Sequence, residues 1–237
     1  MEIIVCKDNN ELSYKASEFV TDIVNRKENP VLGLATGSTP EKLYELLIEE
    51  NKQGNVSFDH ATSFNLDEYV GLDANDVNSY RYFMDEHLFN HIDINKENTH
   101  IPNGLSTDMD TACRDYEAQI KAAGPIDVQI LGLGLNGHIG FNEPGTDFSG
   151  RTRVVDLDET TREANARFFN SIDEVPTQAI TMGIASIMEA EKILLLVQGE
   201  KKAAILKEVI NGEVTNQVPA SILQNHPNVT VLTDVLL

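Results

Sequence analysis

The chain has 237 residues, 41% of them hydrophobic, and carries 38 Asp and Glu against 18 Lys and Arg, a formal net charge of -20. That balance argues against a nucleic-acid surface or an anionic membrane as partner, since both call for basic patches. It also means that an anionic ligand must be held by a few placed cations and backbone amides.

The length permits one domain or two, and α/β folds often fill it as a single unit, so one domain over residues 1–237 is expected. Cys6 and Cys113 make no disulfide framework in a chain of this size and are expected as buried free thiols. The start, MEIIVCKDNN, has a short apolar run and no basic region, so it does not read as a signal peptide. The longest apolar run elsewhere, Ile193 to Val197, is far too short to span a bilayer. A soluble cytoplasmic protein is expected.

In chain order, Ile3 to Cys6 reads as a strand, followed by an amphipathic helix over roughly residues 10 to 26 with Leu12, Ala16, Phe19, Val20, Ile23 and Val24 at helical spacing. Residues 31 to 35, VLGLA, form a short buried strand that runs into Thr36, Gly37, Ser38, Thr39 and Pro40, with a helical pattern up to Gly54. Thr39 is the expected N-cap and Pro40 suits the first helical position. A strand, a small-residue loop and a helix start together make an anion site, although a capped helix without ligand has the same sequence. The lysine of a Walker loop is missing.

Ala61 to Leu66 reads as the third strand and ends in Asp67, Glu68 and Tyr69, the start of a DEYVG turn. Residues 78 to 90 and about 107 to 123 read as helices. The stretch Val128 to Pro144, VQILGLGLNGHIGFNEP, then joins a buried strand to a glycine-rich polar loop. Gly132, Gly134 and Gly137 fit a dinucleotide fingerprint, but HIGFNEP offers a proline where that motif needs a long helix. A polar loop bringing Asn136, His138 and Glu143 together is the better reading: imidazole gives and takes protons readily, and its neighbours fix its tautomer. A turn histidine bonded to backbone is the plain alternative.

Beyond the loop, Arg153 to Leu157 reads as a strand and Glu159 to Phe169 as a helix carrying Arg162 and Arg167, with helical arginines usually solvated. Ala179 to Met182, Ile193 to Val197 and Val229 to Thr233 read as further strands, and a helix opening at Gly199 puts Lys202 near the same sheet edge. There is no internal repeat or linker. The alternation predicts a mostly parallel sheet with helices on both faces, whose ligands bind off the carboxyl ends of the strands, where Ser38, Asp67 and His138 would lie.

Taken together, LATGSTP, NLDEYVGL, GLGLNGHIGFNEPG, ANARFF and GEKKAAIL resemble the glucosamine-6-phosphate deaminase family, in that order and over nearly the full length. The resemblance implies a Rossmann-like α/β fold and conversion of D-glucosamine 6-phosphate and water to fructose 6-phosphate and ammonium, in amino-sugar catabolism, without metal or organic cofactor. It implies Asp67 as the base for isomerisation, His138 as the ring-opening acid and base with Glu143 and Asn136 completing that group, and Arg167 and Lys202 as phosphate ligands beside Thr36, Gly37, Ser38 and Thr39. N-acetylglucosamine utilisation and N-acetylneuraminate degradation are the expected settings, with a small sugar phosphate as partner and a monomer or homo-oligomer both open.

Many members of the family carry Asp where this chain has Asn136, and an amide orients His138 without supplying charge; Glu143 is expected to supply it. Val155 stands where allosterically regulated relatives have a basic residue, so activation by N-acetylglucosamine 6-phosphate is not expected. Residues 145 to 170 are the expected cover of the site. The nearest rival is a 6-phosphogluconolactonase, which lacks the FNEP pattern after its histidine. A sugar-phosphate-sensing regulator would need a basic DNA-reading module that no segment provides.

Overall fold

The computed structural model describes residues 1–166, 169 and 171–236, with the backbone alone at Thr160 and Ala164. Among these, the strands are β1 (Glu2–Val5), β2 (Val31–Leu34), β3 (Thr62–Asn65), β4 (Asp67–Tyr69), β5 (Thr99–His100), β6 (Val128–Gly132), β7 (Arg153–Asp156), β8 (Gln178–Thr181), β9 (Ile193–Val197) and β10 (Val229–Thr233). The helices are α1 (Asn9–Arg26), α2 (Ser38–Lys52), α3 (Tyr80–Met84), α4 (Met109–Ala123), α5 (Glu159–Asn165), α6 (Ile184–Met188) and α7 (Ala203–Asn211). Seven strands form one sheet in the order β1-β10-β9-β6-β2-β3-β5, and every pairing in it is parallel.

Strand β9 explains why this sheet is legible as apolar runs. Ile193, Leu195 and Val197 enter one core with Ile187 of α6 and Leu206 and Val209 of α7, while Leu194 and Leu196 enter the other with Leu12 and Val20 of α1 and Leu43 and Leu47 of α2. A strand covered on both sides has no polar face to alternate with. Each such side chain contributes roughly 1.5–3 kcal/mol by leaving water, so the two cores pin the strands whose ends carry the loops described below. Helix α1 starts where the sequence places it because the Asp8 carboxylate accepts the Glu11 amide at 2.9 Å.

The structure departs from the sequence reading in several places. Asp67, Glu68 and Tyr69 are not a turn but strand β4, which pairs antiparallel with β8, as β8 does with β7, in a second, three-stranded sheet. Only Leu66 separates β3 from β4, too short a link for a parallel crossover, and Tyr69, Val155 and Ala179 close over a separate apolar cluster with Phe141 and Leu157. Helix α2 begins at Ser38 and not at Pro40: Gly37 occupies the N-cap position with φ +99°, a conformation glycine adopts without steric penalty, and no side chain caps the helix. The helix expected over 78 to 90 is short α3 continued by a π-helical turn at Asp85–Phe89. No helix among the described residues is long and apolar enough to cross a membrane.

Candidate active site

Four connections leave the carboxyl ends of four neighbouring strands, β9, β6, β2 and β3. After β2 the chain winds towards β3 and β5, and after β6 it winds towards β9 and β10, so the direction reverses between β2 and β6. Open α/β sheets bind ligands in the crevice at such a reversal. With strands about 4.8 Å apart, the four ends span only roughly 15 Å. The loop Thr36–Thr39, Asp67, the segment Asn136–Glu143 and Lys202 therefore share one rim.

In the central loop, Gly137 and Gly140 have φ +85° and +55°, which lets the chain fold back within a few residues. The turn brings His138 Nδ1 to 2.7 Å from Asn136 Oδ1, and the His138 backbone amide donates to the same oxygen at 3.2 Å. Asn136 Nδ2 donates to Glu143 Oε2 at 2.7 Å, and that oxygen lies 3.3 Å from His138 Nδ1. Nδ1 faces acceptors on both counts, so it carries the proton and leaves the Nε2 lone pair as the reactive position. The remaining oxygen of Glu143, Oε1, accepts the Thr161 hydroxyl at 2.7 Å. Burial pushes the Glu143 carboxyl up, but hydrogen bonding and positive charge from His138, then the bonds from Thr161 and Asn136, outweigh it and hold the group at about 2.

This loop is clamped from beneath. Asn142 is fully buried; its Nδ2 donates to the carbonyls of Ile139 and Met182, both at 2.9 Å, and its Oδ1 accepts Arg153 Nη1 at 3.0 Å. The Phe141 amide donates to Thr181 Oγ1 at 3.1 Å. Strand β8 thus holds the loop and, through the pairing of Thr181 with Asp67, also holds β4.

The paired acids have different fates. Glu68 accepts the backbone amides of Tyr69, Tyr80 and Arg81 at 2.8, 3.0 and 2.9 Å, so it caps α3 and is fully engaged. Asp67 is only 6% exposed, and among the described residues nothing hydrogen-bonds its carboxyl. Burial first, and the negative charge of Glu68 second, push that carboxyl up to about 8. Its Oδ2 lies 3.5 Å from where a Cβ would stand on Gly140, two residues on from His138. A desolvated, unpartnered carboxyl beside an acid–base trio is suited to moving a proton at carbon.

On the other side of the trio, the Tyr44 hydroxyl ties both backbone groups of Ala35, fixing the end of β2 against α2. The α2 start presents its first amides uncapped, next to Thr36 and Ser38. Half-buried Lys202, in a 3-10 turn before α7, donates from Nζ to the Leu133 carbonyl at 2.5 Å, which places it at the beginning of the central loop. Burial lowers its pKa. Arg167 lies outside the described residues. Arg162 is not a solvated helical arginine as expected: its Nη2 donates to the carbonyls of Ile172 and Val175 at 3.0 and 3.3 Å, anchoring α5.

Thr161, Thr181 and Arg153 are absent from the sequence reading of the site. Asn142 was visible as a polar residue beside Glu143, and the others sit in segments with no motif. The described residues hold no group of three or more His, Cys, Asp or Glu arranged to bind a metal. A cavity of about 640 Å³ lined by Glu117, Ile126, Arg151 and Ala190 lies at the amino ends of β6 and β9, the opposite edge of the sheet from this chemistry.

A two-faced parallel sheet with an Asn–His–Glu group and a buried carboxyl at its reversal point defines an α/β enzyme of the proton-transfer class. The family model of glucosamine-6-phosphate isomerases/6-phosphogluconolactonase matches residues 8–232. The chain belongs to this family and, within it, to the glucosamine-6-phosphate deaminases. It is 55% identical to the glucosamine-6-phosphate deaminase of Oceanobacillus iheyensis over 234 residues, covering 99% of this chain and 94% of that protein. The Shouchella clausii enzyme of the same name is 54% identical, with 99% and 95% covered. A solved monomeric glucosamine-6-phosphate deaminase superposes with TM-score 0.96 at 47% identity, covering 98% of this chain and 97% of the other. The 6-phosphogluconolactonase of Thermotoga maritima shares the fold, with TM-score 0.77 at 22% identity over 99% and 98% of the two chains.

Proposed function

We propose that this chain isomerises and deaminates D-glucosamine 6-phosphate, with water, to fructose 6-phosphate and ammonium, using the residues gathered at the rim. The observation that carries this reading is the Asn136–His138–Glu143 group with Asp67 beside the same loop. A closed aminosugar has no acidic proton at C2. His138 Nε2 takes the proton of the anomeric hydroxyl and returns it to the ring oxygen, the C1–O5 bond breaks, and C1 becomes an aldehyde. Glu143 stabilises the transient imidazolium, and Asn136 orients it.

The Asp67 carboxylate then takes the C2 proton while the substrate ammonium gives one to O1, forming an enolamine, and Asp67 delivers its proton to C1. The nitrogen is left on C2 as a ketimine, water adds to that carbon, and ammonia departs. Water thus cleaves a C–N bond in the net reaction, which is hydrolytic in sum, although the bond-making steps before it are those of an aldose–ketose isomerase. The amides at the α2 start, the hydroxyls of Thr36, Ser38 and Thr39, and the Lys202 ammonium receive the phosphate, with Arg167 joining them by family resemblance. Phosphate binding energy holds C1 and C2 against the proton-transfer groups.

A monomer and a homo-oligomer both fit this reading, and a solved relative is monomeric. A cytoplasmic place in the breakdown of N-acetylglucosamine and N-acetylneuraminate fits this chemistry, and with Val155 in β7 no activation by N-acetylglucosamine 6-phosphate is proposed. The test is a direct comparison of ammonium release from glucosamine 6-phosphate with acid release from 6-phosphogluconolactone. Turnover of the lactone alone would overturn the reading.

A further inference from the structure

Glu143 meets the glycine loop through one oxygen only; the other is held by a different element. Thr161 lies in α5, 18 residues further along the chain, and its Oγ1 donates to Glu143 Oε1 at 2.7 Å. A helical threonine hydroxyl often points to solvent or bonds a nearby backbone carbonyl, and Thr161 stands in the first turn of α5. Here it reaches out of its own helix, and Thr161 is only 9% exposed. Helix α5 is fixed on both flanks: the Leu157 amide donates to the Thr177 carbonyl at 2.8 Å, and Arg162 holds Ile172 and Val175.

We propose that Thr161 is a positioning residue for the reaction, its hydroxyl holding Oε1 of Glu143 so that α5 sets the orientation of the acid–base group as much as the glycine loop does. The proposal rests on the active-site reading above. Without the Thr161 proton, Oε1 is a half-buried acceptor lacking its donor, and the nearest replacements are the Asn136 amide and the His138 Nδ1–H that now serve Oε2. The carboxylate then rotates towards them, and the imidazole loses its fixed direction.

The test compares wild type, Thr161→Val, which keeps the shape and removes the hydroxyl, and Thr161→Ser, which restores it. Expected for Thr161→Val is a kcat for ammonium release about tenfold lower, with KM within about twofold and Tm within a few degrees of wild type. Thr161→Ser should recover most of the lost kcat. A Thr161→Val variant with wild-type kcat overturns the assignment, as does one in which KM and Tm worsen together and serine fails to rescue. Wild-type turnover separates the two levels: normal deamination with an unaffected Val variant removes the role of Thr161 alone, whereas no deamination by wild type removes the active-site reading and this assignment with it.

Discussion

Glu143 Oε2 lies 3.3 Å from His138 Nδ1, and the Asn136 amide touches both, its oxygen 2.7 Å from the imidazole and its nitrogen 2.7 Å from the carboxylate. The amide is therefore a two-way bridge, a finding that changes how the departure at position 136 is understood. An aspartate there would keep the contact to His138 but lose the donor to Glu143, and would set two acidic oxygens against each other. In Asn136→Asp the Glu143 carboxyl should rise from about 2. A carbon-13 NMR titration of the side-chain carboxyls in the two proteins decides it; coincident Glu143 curves would mean that the amide nitrogen does not help to hold Glu143 ionised.

Asp67 leads to a pH dependence with two opposite faces. Its carboxyl is pushed from the ordinary 3.8 up to about 8, so as a base it gains its active form only as pH rises, and kcat/KM should climb and level off near pH 8. For stability the sign reverses: between about 4 and 8 the native group holds a proton that the unfolded chain has released, so folding free energy is lost as pH rises through that window. Asp67→Asn should abolish turnover, retain binding of a sugar-phosphate analogue, and lose this pH-dependent decline in denaturant midpoint. A variant with full activity would remove Asp67 from the mechanism.

The parallel sheet was legible because a strand such as β9, buried on both faces, can only be an apolar run, and because glycines follow β2 and β6 where ligand loops leave a sheet. The second sheet was not: Asp67–Tyr69 is three residues long, below any detectable period, and its partners lie more than eighty residues away in sequence. Pairings of that kind, like the Thr161 hydroxyl on Glu143, leave no local pattern because they depend on how two separately anchored elements meet. Residue chemistry alone reached an acid–base site with an anion loop, and the identity of the sugar came from family resemblance.

Gly134 offers a test of the loop that leaves every polar group in place. A Cβ at this position would stand 2.4 Å from Cε1 of His138, a clash that only movement of the ring or the loop can relieve. The backbone conformation itself tolerates alanine, since Gly134 is not among the glycines with positive φ. Gly134→Ala should therefore fold with nearly native stability while kcat falls on the order of 10²-fold through misplacement of the imidazole. Thermal denaturation beside steady-state kinetics checks both halves, and unaltered kcat would show that the observed His138 orientation is not the working one.

Lys202 meets the start of the central loop, and its partner there is a carbonyl and not a carboxylate. Burial lowers its pKa and that carbonyl partner is uncharged, so an incoming phosphate supplies an opposite charge, and the ammonium gains more from that partner than from the Leu133 oxygen it now meets. On a chain with net charge -20, few other cations can substitute. Lys202→Ala should raise KM about 10- to 100-fold, with a smaller fall in kcat, because the lost contact serves substrate and transition state nearly alike. Lys202→Arg should recover little of it, since a planar guanidinium does not fit the place of a compact ammonium. Inhibition by inorganic phosphate, measured on the same proteins, should weaken in parallel with KM. If both constants stay at their wild-type values, the phosphate is held elsewhere on the rim and Lys202 serves only to brace the Leu133 carbonyl.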